Sequence, residues 1–140
     1  MDIVIDATDA IAGRLASRVA KEAMNGNRVH VVNVEKAVVS GNPTYTFTHY
    51  REKVERGDPY HGPFYPRPPD RVFRRMVRGM LPHHRPRGKT AFHRVHVYIS
   101  IPKELENKPM RRVPGTENRL EQKFVSLGLL SERLGAKKRW

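Results

Sequence analysis

Two short apolar runs flank a stretch of helical periodicity, and this order restricts the chain to few folds. Ile3-Val4-Ile5 is apolar at every position, as in a strand buried on both faces, and Asp6-Ala7-Thr8-Asp9 supplies a turn with capping residues. Ile11, Leu15, Ala16, Val19, Ala20 and Ala23 then recur at helical spacing, with Arg14, Arg18 and Lys21 on another side and Asn25-Gly26 as a C-terminal stop. Val29, Val31, Val32 and Val34 form the second, β-branched run. Two strands joined through a helix imply a right-handed, parallel βαβ unit.

The rest of the chain extends this pattern. Val38-Val39, closed by Ser40-Gly41, reads as a third short strand. Asn42 as cap and Pro43 at the first helical position predict a helix over Tyr45 to Arg56, ended by Gly57. Residues 57–69 carry five prolines among Tyr60, Phe64 and Tyr65, so a stiff, extended connector is expected, with its aromatics covering the sheet. Val95, Val97 and Ile99 alternate with His96 and Tyr98, giving a strand ended by Ile101-Pro102 that should be the last of the main sheet. Residues 103–122 read as a surface arm broken by Pro109 and Pro114-Gly115. An apolar segment from Phe124 to Leu134 should hold one or two helical turns. The expected domain plan is an α/β core over 1–102, including the basic stretch 67–89, and a C-terminal extension over 103–140 that packs on or extends from it.

Charge is the second constraint. Residues 67–89 hold eight Lys or Arg against one Asp, a net +7 that is more than half of the formal +13. Asp70 after Pro68-Pro69 and the stop at Pro82 predict a helix over Arg71 to Leu81. At about 100° per residue Val72, Phe73, Met76, Val77, Met80 and Leu81 share one face, while Arg71, Arg74, Arg75 and Arg78 cluster opposite. No acid follows Asp70 to neutralise those arginines along the helix. The charge continues through Pro82-His83-His84-Arg85-Pro86-Arg87-Gly88-Lys89, where the prolines imply an extended loop and Gly88 would let a partner's backbone come close. Guanidinium groups suit phosphate oxygens in two-point contacts and stack on bases, so the expected ligand is a polyanion. Arg71, Arg74, Arg75 and Arg78 would line one phosphate ridge, and Arg85, Arg87 and Lys89, with His83 and His84, would enter a crowded junction. Arg14 and Arg18, and the tail residues Lys137, Lys138 and Arg139, are further candidate contacts.

A chain of 140 residues fits one domain that buries about two-thirds of its unfolded surface. Its pI near 10.6 and mean hydropathy of −0.67 point to a protein that collects anions. Zero cysteines exclude a disulfide scaffold and a thiolate zinc site, and fit a reducing compartment. No signal peptide or membrane span is expected, since Asp2 and Asp6 bracket a very short apolar run.

Sharper chemistries find little support. No Gly-x-Gly-x-x-Gly or Walker loop follows the first strand, where only Gly13 is available, so neither a cofactor nor a small-molecule substrate is expected. His83-His84 and His93-x-x-His96 have Arg and Lys as neighbours, which repel a metal cation. Ser17 and Ser40 carry no nucleophile signature, and an enzyme is not expected. A DNA-binding or chromatin protein is the competitor on charge alone. A helix-turn-helix would, however, need a second helix joined by a short turn, where a proline-rich loop is expected.

Asp6-Ala7 with Gly13-Arg14-Leu15-Ala16-Ser17, the run Asn33 to Gly41, and above all Val77-Arg78-Gly79-Met80-Leu81-Pro82 resemble the ribosomal protein L13 family. The likeness continues through Gly88, Val95-His96-Val97-Tyr98 and Ile101-Pro102, with a weaker echo over Leu127 to Gly135. It is similar in proportions to the archaeal and eukaryotic branch, although His83-His84 stand where many members place Lys. The resemblance implies a three-layer α/β/α domain around a mostly parallel four-stranded sheet, with basic loop and C-terminal extensions. It also implies a cytoplasmic, ribosomal constituent whose partners are large-subunit rRNA and neighbouring large-subunit proteins. The cationic residues named above would then be rRNA contacts, made early in subunit assembly.

Overall fold

The computed structural model describes residues 1–140. Its spine is β1 (Asp2–Asp6), α1 (Ala12–Met24) and β2 (Arg28–Val32). The two strands run parallel, with Ile3 beside Val29 and Ile5 beside Val31. Ala12, Leu15, Ala16, Val19, Ala20 and Ala23 are all buried along one side of α1, and the alanines among them allow close approach to neighbouring elements. Gly26, at φ +99°, takes the left-handed conformation that ends the helix and turns the chain into β2.

β4 (Val95–Val97) adds parallel to β2, and β5 (Met110–Arg111) adds parallel to β1, giving the sheet order β4-β2-β1-β5. The steps β1 to β2 to β4 run one way across the sheet, so right-handed crossovers place their helices on one face. The return from β4 to β5 runs the other way and takes the chain over the opposite face. There a 3-10 turn, Lys103–Leu105, sets Leu105 against Val4 and Val32. The architecture is therefore three-layer α/β, with a deep helical layer and a thin second cover. The strand at 95–97 is not the last of the main sheet, as its pattern implied. Met110–Arg111 forms the edge, and two residues between prolines carry no alternation that would announce a strand.

β3 (Val38–Ser40) leaves the main sheet and pairs antiparallel with β6 (Phe124–Ser126). β6 leads into α5 (Leu127–Arg133), where the Ser126 hydroxyl accepts a hydrogen bond from the Leu129 N–H at 3.3 Å. Val125, Leu127, Leu130 and Leu134 join Ile5, Leu15, Val31 and Phe73 in a single hydrophobic core. α2 (Pro43–Glu55) starts as its cap predicts, with Asn42 Oδ1 accepting from the Thr44 N–H at 3.0 Å.

Two elements of the basic stretch differ from expectation. α3 (Pro69–Gly79) begins two residues earlier and ends two earlier than its periodicity suggests; the cap is Pro68, and Asp70 lies inside the first turn, where its charge suits the helix dipole. Val72, Phe73, Val77 and Leu81 are buried, Met76 is half-buried, and Met80, beyond the helix, is 47% exposed. The loop expected over 82–89 is extended nowhere beyond its turn: its second half, from Pro86, opens α4 (Pro86–His93). Pro86 occupies the first helical position, where a missing N–H costs nothing. Gly88 then faces its own chain rather than a partner: it is packed directly on the Pro82 carbonyl.

Candidate nucleic-acid interface

α3, the turn after it and α4 follow one another directly and between them carry Arg71, Arg74, Arg75, Arg78, Arg85, Arg87 and Lys89. The turn is tight, with the His83 N–H donating to the Leu81 carbonyl at 2.8 Å and the Arg85 N–H to that of Pro82 at 2.9 Å. Ala91 and Gly88 bury the inner side of α4 and leave Arg87 and Lys89 exposed in its first turn, beside the exposed Arg85. No acid occupies that turn. Cations at a helix N-terminus oppose the dipole, an arrangement that an external anion would relieve.

The arginines of α3 differ among themselves. Arg71 is exposed, whereas Arg74, Arg75 and Arg78 are half-buried. The Arg74 guanidinium carbon lies 4.2 Å from the centroid of the Phe92 ring of α4, and its Nε is buried without a hydrogen-bond partner in the chain. Arg75 donates to the Phe64 carbonyl at 3.2 Å and lies 5.4 Å from the Tyr65 ring centroid. Desolvation, together with the nearby Arg78 charge, lowers the Arg75 pKa, yet a guanidinium stays charged at any physiological pH. These four arginines, with Phe64, Tyr65, Pro66 and Phe92, line an open depression of about 580 Å³.

None of Arg71, Arg74, Arg75, Arg78, Arg85, Arg87 or Lys89 takes part in any of the five ion pairs of the protein. Those pairs lie elsewhere, as in Arg112 with Asp6 at 3.7 Å and Lys138 with Glu132 at 3.6 Å. His83 and His84 sit at the tip of the turn with ring centroids 4.0 Å apart. Desolvation, then the charges of His84 and Arg78, lowers the His83 pKa below the ordinary imidazole value, which favours the neutral ring.

The other predicted contacts stand apart from the depression. Arg14 and Arg18 are exposed on α1, and Arg18 joins Glu22, Arg111 and Arg112 around a second cavity of about 320 Å³ near β5. Lys137, Lys138 and Arg139 are exposed, while Trp140 folds against Gly128. Sequence reasoning missed the aromatic walls. The connector aromatics were expected to cover the sheet, but Tyr60 and Phe64 are 88% and 66% exposed, and only Tyr65 packs on the core, beside Tyr50. Phe92 lies between the expected loop over 82–89 and the strand from Val95, in residues to which the sequence reading assigns no element, and α4 is what carries it.

The objection to a helix-turn-helix also needs correction, because α4 does follow α3 closely. Their connection nevertheless spans residues 80–85, longer than the three or four of that motif.

Fold and surface together define a small, strongly basic α/β protein whose main cationic face has no acidic partner of its own. Residues 1–104 match the family model described as Ribosomal protein L13. Over 137 residues the chain is 43% identical to the large ribosomal subunit protein uL13 of Methanosarcina barkeri, covering 96% of this chain and 98% of that protein. It is 47% identical to the protein of that name from Methanopyrus kandleri, over 94% of this chain and 86% of the relative. With that of Haloarcula marismortui the identity is 44%, over 99% and 94%. The chain belongs to the ribosomal protein L13 family, whose members are structural parts of the ribosome and not enzymes.

Proposed function

We propose that this protein is a constituent of the large ribosomal subunit that binds and organises rRNA, and that it acts early in subunit assembly. The observation that carries the reading is the absence of any intramolecular ion pair at the seven cations of α3, the turn and α4. In a chain that holds 14 acids, leaving these cations free points to a partner that supplies the negative charge. The family and the relatives' names supply the context in which that partner is rRNA.

The mechanism follows from rigidity. α3 is anchored by Val72, Phe73 and Val77, and α4 by Ala91 and the Gly88–Pro82 contact, so the cations are presented at fixed spacing. Fixed cations bridge phosphates from different RNA segments and reduce the repulsion that opposes compact RNA. Neighbouring large-subunit proteins would meet the surfaces that RNA leaves free.

Sedimentation of the native protein from a cell extract, at moderate and then high salt, tests this. Persistence with the large subunit through the high-salt wash, and release only on nuclease digestion, is the expected result. Sedimentation as free protein, or with chromatin, would overturn it.

A further inference from the structure

We propose that the depression between α3, α4 and the proline-rich connector receives the base of one unpaired nucleotide, flipped out of its stack, while the arginines at its rim hold the adjoining phosphates. The inference rests on the rRNA-binding reading and adds what that reading does not require, an aromatic slot for a base.

Phosphate binding needs cations and no aromatic surface, yet this site exposes both. Phe64 keeps 66% of its surface in solvent, in a depression that it shares with four arginines. Its backbone is pinned, because Arg75 donates to its carbonyl at 3.2 Å, so the ring is presented from a fixed point. Another wall is Phe92, on which the Arg74 guanidinium lies flat enough to bring its carbon within 4.2 Å of the ring centroid. Arg74 thus offers a cationic plane. Nucleobases stack on phenyl rings and guanidinium planes alike.

The size and charge of the depression select the occupant. A volume of about 580 Å³ falls in the range of roughly 300–1,000 Å³ typical of small-ligand sites. An apolar ligand would bury four arginines without compensation. A duplex keeps its bases inward and presents only backbone, so it could meet Arg71 and Arg78 at the rim but would leave Phe64 uncovered. A nucleotide extruded from a bulge or loop satisfies both, with its base against the exposed Phe64 ring and the Arg74 guanidinium plane and its phosphates on the arginines at the rim.

The test uses the full chain and two RNA hairpins that are identical except at one bulged position. One carries adenosine there, and the other an abasic nucleotide that keeps the phosphate. The wild-type protein should bind the adenosine bulge about tenfold more tightly, the scale of one base stacked on an aromatic ring. Both RNAs should show the same dependence on salt, since the phosphates are shared. Phe64→Ala, at an exposed position that leaves the core intact, should abolish the difference while preserving affinity for the abasic RNA. Equal wild-type affinity for the two hairpins would overturn the base slot and leave rRNA binding standing, as would an equal loss on both in Phe64→Ala. Failure to bind either RNA at moderate salt would overturn both readings. An acidic peptide that competes with the adenosine hairpin but not with the abasic one would assign the slot to a protein partner and overturn the proposal as well.

Discussion

Gly88 lies directly against the carbonyl of Pro82, so closely that a Cβ would overlap the oxygen and carbon of that peptide. The obstructing atoms are backbone, which cannot swing aside as a side chain would. Gly88→Ala should therefore push α4 away from the turn after α3, at a cost of about 1–3 kcal/mol by analogy with overpacked cores. Thermal unfolding measures the loss. The displacement also separates Arg87 and Lys89 from the α3 arginines, so RNA affinity should fall even at temperatures where the variant is fully folded. An unaltered melting temperature would mean that the close approach is not maintained in solution.

The half-buried state of Arg74 changes which charge reversals are informative. Arg74→Glu would remove a guanidinium from the Phe92 ring and place a carboxylate at a partly desolvated site, which confounds binding with stability. Arg71 is exposed and Arg78 sits at the end of the helix, so Arg71→Glu with Arg78→Glu should hold stability within about 0.5 to 1 kcal/mol of wild type. For wild type, about six phosphates neutralised predict a slope of log affinity against log salt near −4 to −5. The double variant should flatten that slope by about 2, one for each phosphate that is no longer neutralised, and should fail to enter subunits. A wild-type slope near −1 would eliminate the multi-phosphate arrangement.

Much of the parallel core is legible from local pattern, because β1, α1 and β2 each carry a period that only one element type satisfies, and they are adjacent in sequence. Asn42-Pro43 likewise specifies the start of α2 despite three threonines in that helix, since cap and first-turn proline act locally. What escapes local pattern is set by distant partners. Met110–Arg111 becomes a strand because β1 offers it an unpaired edge, and Val38–Ser40 leaves the main sheet because Phe124–Ser126, more than 80 residues away, pairs with it. α4 escapes for a different reason. Two prolines four residues apart suggest an extended loop, yet Pro82 sits in a turn and Pro86 at a helix start, the two places where each is tolerated. The cationic residues of the site were legible as a group, but their division into exposed Arg71 and ring-stacked Arg74 depends on Phe92, which only the α4 geometry brings near.

His30 on β2 and His96 on β4 are in register, with rings stacked 5.1 Å apart on the thinly covered face of the sheet. Burial lowers both pKa values. The charge of His96, with Lys108 and Arg28, lowers that of His30 further, and Arg74 with Arg28 does the same for His96, while Asp2 opposes in both cases. In the unfolded chain both rings titrate near the ordinary value of about 6.5. As the pH falls below that value the unfolded state takes up protons before the folded state does, so stability should decline, and above it the two states are equally neutral. The midpoint of urea unfolding should therefore drop between pH 7 and pH 5. His30→Gln with His96→Gln should flatten that drop, leaving the part due to His83. The range is kept above pH 5 because further acid begins to remove the stability that Asp6 supplies in its ionised form. Burial raises the Asp6 pKa, but hydrogen bonds from Thr8 and Asn33 and the charge of Arg112 outweigh this, so its contribution is lost only in stronger acid. A midpoint independent of pH in the wild type would show that the histidine stack opens freely to water.

The single tryptophan of the chain gives a direct optical probe of how the basic tail is held. Trp140 folds back on the start of α5, where a Cβ added to Gly128 would lie 2.9 Å from the indole Nε1 and 3.0 Å from the Glu35 carbonyl oxygen. The carbonyl belongs to the 3-10 turn Val34–Lys36 and is fixed, whereas the indole is the far end of a movable side chain, so the indole is what yields. Gly128→Ala should release Trp140 into solvent, shift its fluorescence emission to longer wavelength and raise its quenching by acrylamide. The accompanying loss of stability should be about 1–3 kcal/mol, since the Glu35 contact is also strained. Lys137, Lys138 and Arg139 precede the tryptophan, so its release frees them from their present spacing, and any RNA contact they make should weaken in the same variant. Emission identical to wild type would mean that the indole is not seated on Gly128, and the tail would then be no more ordered than its three exposed cations require.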